Sequence, residues 1–226
     1  MFSLTKAWLI ASPTGARKNP NLETISLRRL YCDFGQNLKT SLGKPELFVT
    51  ISYSALCILF VGAALRILIP AMLKGLGYAD VVIGCAMSFI AFGALVGAIM
   101  CGKMMLNFNT RNLMLYWSLY GIALAILPAC AFSVLLVLLG CLALGGLGAF
   151  VDVILPTNIQ RLSTEANLGK NFGLFSTLAN TGEALSGALA GALAVVASAG
   201  TSLTIIGVLI ASIAYVGKVK TVSRHA

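Results

Sequence analysis

Charge is scarce in this chain, and acid is scarcer still. Lys, Arg, Asp and Glu make up 10% of 226 residues and only seven residues are acidic, where a soluble domain carries roughly a quarter charged residues. So few charges cannot cover a water-facing surface, which excludes a soluble enzyme or binding module. Histidine is nearly missing, His225 being the sole one. The six cysteines, Cys32, Cys57, Cys85, Cys101, Cys130 and Cys141, include no CxxC pair, so neither a metal site nor a disulfide framework is indicated. No cofactor is expected. Phosphate loops, nucleophile–base pairs and nucleic-acid modules are absent as well, which argues against an enzyme. Met1 to Asn21 contains no uninterrupted apolar core followed by a small-residue cleavage site, so the first spanning helix is expected to target the chain by itself.

What the chain has is apolar length. Hydrophobic residues reach 58% and the mean hydropathy is +0.93, the values of an all-α integral membrane protein whose main partner is the lipid bilayer. A bilayer core about 30 Å thick takes roughly 20 apolar residues per helix. That ruler predicts six spans, at about Leu47–Leu73, Ala79–Cys101, Leu113–Phe132, Ser133–Leu155, Phe172–Ala197 and Thr201–Gly217. The third and fourth runs abut, so a tight turn is required near Pro128 to Ser133. Residues 1–46 read as a basic leader, 47–217 as the six-helix bundle and 218–226 as a tail. Within the leader, Leu22, Ile25, Leu30, Phe34 and Leu38 recur at helix-like spacing, which fits either an amphipathic helix on the membrane face or a solvated tether.

The net charge of +9 reads as membrane orientation, with no nucleic-acid partner implied. If the leader is cytoplasmic, fourteen of the sixteen basic residues lie on that side, Lys74 alone lies on the other and Arg66 lies inside the first span. The positive-inside rule then places both termini in the cytoplasm, in a plasma membrane of the bacterial inner-membrane kind.

Against this apolar background a few residues carry chemistry. Glu183 falls near the middle of the fifth span, where a bare carboxylate costs at least ~2.5 kcal/mol and desolvation favours the neutral acid. Such a group suits proton coupling, a contact to a cationic substrate, or a structural pairing with a neighbouring helix. Arg66, in the first span, is its natural partner, or else it snorkels outward along its aliphatic stem. Asp152 precedes Pro156 and is expected either to meet Arg161 or Lys170 across the following loop or to neutralise cationic cargo. Arg161, Glu165 and Lys170 are expected to form ion pairs in that loop. Gly182, Gly187 and Gly191 with Ser186 and Ala190, and Gly93 with Gly97, give small-xxx-small faces that let helix backbones approach in lipid. Tyr53, Tyr116, Trp117 and Tyr120 read as interfacial anchors or cavity lining.

The run from Gly145 through Pro156, Thr157, Gln160, Gly169, Phe172 and Gly173 to Gly191 resembles the region joining the tenth and eleventh helices of major facilitator superfamily transporters. The drug-exporter branch with macrolide-efflux-like proteins is the nearest in pattern. The resemblance implies that the six spans are the carboxyl-terminal half of such a fold, built as two inverted three-helix repeats with substrate handled near the midplane. Spans one, two, four and five would then face the cavity and bring Arg66, Asp152 and Glu183 to it. Gly102, Lys103 and Arg111 are all that stands for the family's glycine, aspartate and arginine loop motif. The resemblance further implies a second six-helix half or a homodimer mate as partner, and a small-molecule substrate. The expected function is proton-coupled efflux of a lipophilic compound; the alternative is a non-transporting membrane scaffold or a truncated remnant of a transporter.

Overall fold

The computed structural model describes residues 45–103 and 108–222. The leader, with its amphipathic stretch and Cys32, and the last four residues of the tail lie outside the described residues. Everything described is helix or turn.

The first span is composite. Helix α1 (Pro45–Ala63) passes through a π-helical stretch, Ala64–Leu68, into the short α2 (Ile69–Gly75). Proline explains the widening, because Pro70 has no N–H to give the carbonyl of Arg66 four residues earlier. At the far end Gly77, with φ +80°, reverses the chain. The N–H of Tyr78 returns to Leu73 O at 3.1 Å and that of Gly77 to Lys74 O at 3.0 Å, which satisfies the last carbonyls of the helix.

Helix α3 (Asp80–Lys103) returns, and α4 (Thr110–Ile126) starts at Asn109, whose side chain accepts the Asn112 N–H at 2.7 Å. The two abutting apolar runs separate at a 3-10 turn, Leu127–Cys130, before α5 (Val134–Leu162). A second 3-10 turn, Glu165–Asn167, leads into α6 (Leu168–Val196), and α7 (Ala199–Val222) closes the bundle.

Five of these helical segments are long and apolar enough to cross a membrane: Glu46–Gly75, Asp80–Lys103, Thr110–Cys130, Val134–Leu162 and Ala199–Thr221. The sixth expected span falls in α6, which has the length, 29 residues, but not the apolarity. Asn171, Ser176, Thr177, Asn180, Thr181, Glu183 and Ser186 lower it. The expected boundaries also shift. Helix α5 continues past Pro156 to Leu162, and α7 runs into what was read as tail.

The helices associate as three close pairs, α3 with α5, α4 with α7 and α1 with α6. Lipid tails give helices no hydrophobic reason to associate, so contact depends on how near the backbones come. Gly93 faces the Leu142 carbonyl and the Gly146 N–H, and Gly145 faces the Ile90 carbonyl, so closely that a Cβ at either would strike backbone. On α4, a Cβ at Gly121 would lie 2.6 Å from Gly207 O and from Ala211 N; on α7, one at Gly207 would lie 2.6 Å from Gly121 O and 2.5 Å from Ala125 N. In the third pair Gly182 faces Ala55 and Leu59, and Gly62 faces Ser186. Of the small residues expected to pack on α6, Gly182, Ser186 and Ala190 are buried, whereas Gly187 meets only Ile67 Cδ1 at 4.0 Å and Gly191 meets nothing.

Buried hydroxyls tie α1 to α4, and so join two of the pairs. Thr50 and Thr110 share a hydrogen bond at 3.0 Å, and the Trp117 indole donates to Ser54 Oγ at 3.1 Å. Trp117 and Tyr120 are 4% and 3% exposed, so they are bundle core and not interfacial anchors. Replacing Gly145 with Ala is expected to cost about 1–3 kcal/mol by forcing α3 and α5 apart, read as a lower Tm in detergent. Gly187→Ala, in open space, should leave the Tm unchanged or slightly raised.

Candidate functional site

Two of the charges inside the helices meet. Arg66 Nη2 donates to Glu183 Oε1 in an ion pair between α1 and α6. Its setting is built from the sequence upward. Glu183 stands one residue past the midpoint of α6. Gly182 and Ser186 beside it are buried at the α1 crossing, and Gly62, one turn before Arg66, leaves the room that a Cβ would take within 3.8 Å of Glu183 Cγ. Arg66 itself lies in the middle of the π-helical stretch, a local geometry that often marks functional positions. The Ser186 hydroxyl donates to Glu183 O at 2.7 Å, and Thr177 and Thr181 donate to Gly173 O and Thr177 O at 2.8 and 2.7 Å. These bonds keep the polar face of α6 satisfied by its own backbone.

The pair is not sealed. The Arg66 side chain is 61% exposed and that of Glu183 41%, so the ions lie open on the face of the isolated bundle instead of deep in its core. An ion pair placed so can exchange partners with a proton or an entering ligand without unpacking the helices.

Asp152 takes neither expected loop partner. It lies on α5, ten residues before the helix ends. Next to it Phe150 stacks on Tyr116, with ring centroids 4.8 Å apart and planes 1° from parallel. The expected pairs among Arg161, Glu165 and Lys170 are also not formed. Arg161 belongs to the last turn of α5 and donates to the Phe108 carbonyl, because the helix continues past Pro156 and turns that guanidinium towards the connection before α4. Glu165 sits in the 3-10 turn and Lys170 in the first turn of α6. Among the described residues no cluster of His, Cys, Asp and Glu that would hold a metal occurs.

One regularity was readable in the sequence and passed over. Arg66 stands four residues before Pro70, and Asp152 four residues before Pro156. Each proline therefore leaves the carbonyl of a charged residue without its usual donor. The two charge–proline units are eighty-six residues apart.

A family model described as Major Facilitator Superfamily matches residues 51–223, all of the bundle but the first turns of α1. The chain belongs to the Major Facilitator Superfamily. Its similarity to individual members of the superfamily is partial. It is 35% identical over 161 residues to the enterobactin exporter EntS of Escherichia coli O1:K1 and of Escherichia coli O45:K1, covering 68% of this chain and 38% of the exporter. The same identity holds over 166 residues with EntS of Escherichia coli O127:H6. The chain thus spans about two-fifths of the length of the curated relatives it matches. No solved structure matches it. Membership in a transporter superfamily fits an integral membrane protein without enzyme motifs.

A double-mutant cycle tests the pair itself. Arg66→Ala, Glu183→Ala and the double variant, compared by thermal unfolding in detergent, should show a coupling of ~0.2–1 kcal/mol, the size for a solvent-accessible pair. Strictly additive losses would mean that the two charges do not act on each other.

Proposed function

We propose that this bundle is one half of a major facilitator-type exporter, that α6 crosses the membrane as the sixth span, and that proton exchange at Glu183 drives expulsion of a lipophilic small molecule. The observation that carries this reading is the exposed Arg66–Glu183 pair at the α1–α6 crossing. When Glu183 takes up a proton, Arg66 loses its counter-ion and the α1–α6 contact loses an attraction. When the proton leaves, the pair closes again. A charge whose partner alternates between states biases two arrangements of neighbouring helices. Export is the direction we assign, since the relatives are named exporters.

The helix contacts support a two-repeat plan. The residues that Gly93 meets on α5, Leu142 and Gly146, lie eighty-seven positions after those that Gly182 meets on α1, Ala55 and Leu59. The π-helical stretch adds one residue to the first span, which accounts for the step to eighty-six between the two charge–proline units that follow it. The contact of Gly121 with Gly207 and Ala211 is mirrored by that of Gly207 with Gly121 and Ala125, as a two-fold axis between spans three and six requires. On this plan Arg66 and Asp152 are equivalent positions. The counterpart of Glu183 is Ala94, so Asp152 has no facing partner and is free to receive a proton or a cationic group.

A working cavity needs a second wall, and the partner we assign is another six-helix half or a second copy of this chain. Helix α3 supports this, exposing Phe92, Leu95, Ile99 and Met100 at 50% or more. Both termini are assigned to the cytoplasm of a bacterial inner membrane on the distribution of basic residues.

Glu183→Gln keeps the shape and removes the titratable group. In vesicles carrying the complete transporter, it is expected to lower pH-gradient-driven efflux at least ~10-fold while the amount inserted in the membrane is unchanged. Efflux that keeps its pH dependence would rule out proton exchange at this residue, and a chain with no transport in any form would favour a scaffold.

A further inference from the structure

An apolar groove of about 520 Å³ runs between α1 and α7, lined by Phe48, Ser52, Tyr53, Leu56, Ser212, Ile213 and Val216. None of its lining residues belongs to the Arg66–Glu183 pair. From Phe48 to Leu56 it follows α1 for about 12 Å, at the helical rise of 1.5 Å per residue. One end is marked by a cation. Lys220 lies on the same face of α7 as Val216 and Ser212, four residues apart each time, and its Nζ stands 5.7 Å from the centre of the Tyr53 ring. Among the described residues Lys220 forms no ion pair.

We infer that this groove is a binding site for an anionic phospholipid, with one acyl chain along α1 and α7 and the phosphate at Lys220. Three features select this occupant. The walls offer only two hydroxyls besides the tyrosine, so the body of the ligand is hydrocarbon. The cation is at the helix ends, where a bilayer places its headgroups, and basic pockets between spanning helices at that level hold anionic headgroups. Tyr53 holds the ammonium in place on its ring face, so a phosphate meets a positioned charge instead of a freely rotating one. The occupant would brace α1, the helix that carries Arg66, against α7.

Native mass spectrometry of the full chain in detergent, with phosphatidylglycerol or phosphatidylcholine added at equal concentration, tests this. The wild type is expected to retain phosphatidylglycerol about five-fold over phosphatidylcholine. Lys220→Gln should bring the two lipids level, and Ser212→Trp, which fills the groove, should reduce retention of both. Soluble glycerol phosphate, which has the headgroup chemistry and no chain, should not displace the bound lipid. Equal retention of both lipids by the wild type, or an undiminished preference in Lys220→Gln of unchanged helix content, would overturn the inference. Displacement by glycerol phosphate would do so too, by reducing the site to a phosphate contact.

Discussion

Lipid gives a helix no reason to leave it for another apolar helix, and this bundle depends on the remedy: backbones brought together where side chains are missing. Gly93 and Gly145 at one crossing and Gly121 and Gly207 at another bring the backbones of facing helices together, and at the third Gly182 meets the Ala55 carbonyl while Gly62 leaves room for the Ser186 side chain. Two of the pairs so formed, α1 with α6 and α4 with α7, are then joined by buried hydroxyl and indole bonds, from Thr50 to Thr110 and from Trp117 to Ser54. Packing of this kind is short-ranged and geometrically exact, so it fixes the register of each pair and, through the register, the position of every polar group on the helices.

The Arg66–Glu183 pair follows from that register. Gly182 and Ser186 bring α6 against α1 at the level where Gly62 leaves space, and the π-helical stretch forced by Pro70 displays Arg66 one turn later. A mid-helix carboxylate would otherwise burden α6 by ~2.5–3.5 kcal/mol at the bilayer centre. Here it faces a guanidinium, and the hydroxyls around it are bonded to their own helix. Several of the polar groups that lower the apolarity of α6 are thus provided for, Glu183 by Arg66 and Thr177, Thr181 and Ser186 by their own backbone.

Much of this was legible beforehand, and the misses have identifiable causes. Apolar run lengths gave the five strongly hydrophobic segments and the turn between the third and fourth. Gly93, Gly97 and Gly182 were recognisable as packing positions because their spacing follows the helical repeat, and the stretch from Gly145 to Gly191 carried the family resemblance that the match over 51–223 establishes. Gly187 and Gly191 obey the same spacing but fall off the contact, since small residues show where helices are able to meet and not where they do. The loop pairs of Arg161, Glu165 and Lys170 failed because Pro156 was read as a terminator, although a proline late in a spanning helix removes one hydrogen bond and the helix continues past it. The aromatic residues of α4 were read as interfacial anchors or cavity lining on residue type and position near a span end, whereas the indole of Trp117 finds its acceptor inside the bundle. The shared spacing of Arg66–Pro70 and Asp152–Pro156 was present in the sequence, and it is the proposed two-repeat plan that would give it meaning.

The central claim is that α6 crosses the membrane with its acid neutralised by Arg66, which makes the bundle six spans and not five. Single cysteines at Thr164 and at Ser198, on either side of α6, in a background freed of the native cysteines, decide it when intact cells are treated with a membrane-impermeant thiol reagent. The account predicts labelling at position 198 alone, with position 164 reacting only after the membrane is permeabilised. Labelling of both positions, or of neither, in intact cells would place the two ends of α6 on one side and contradict it.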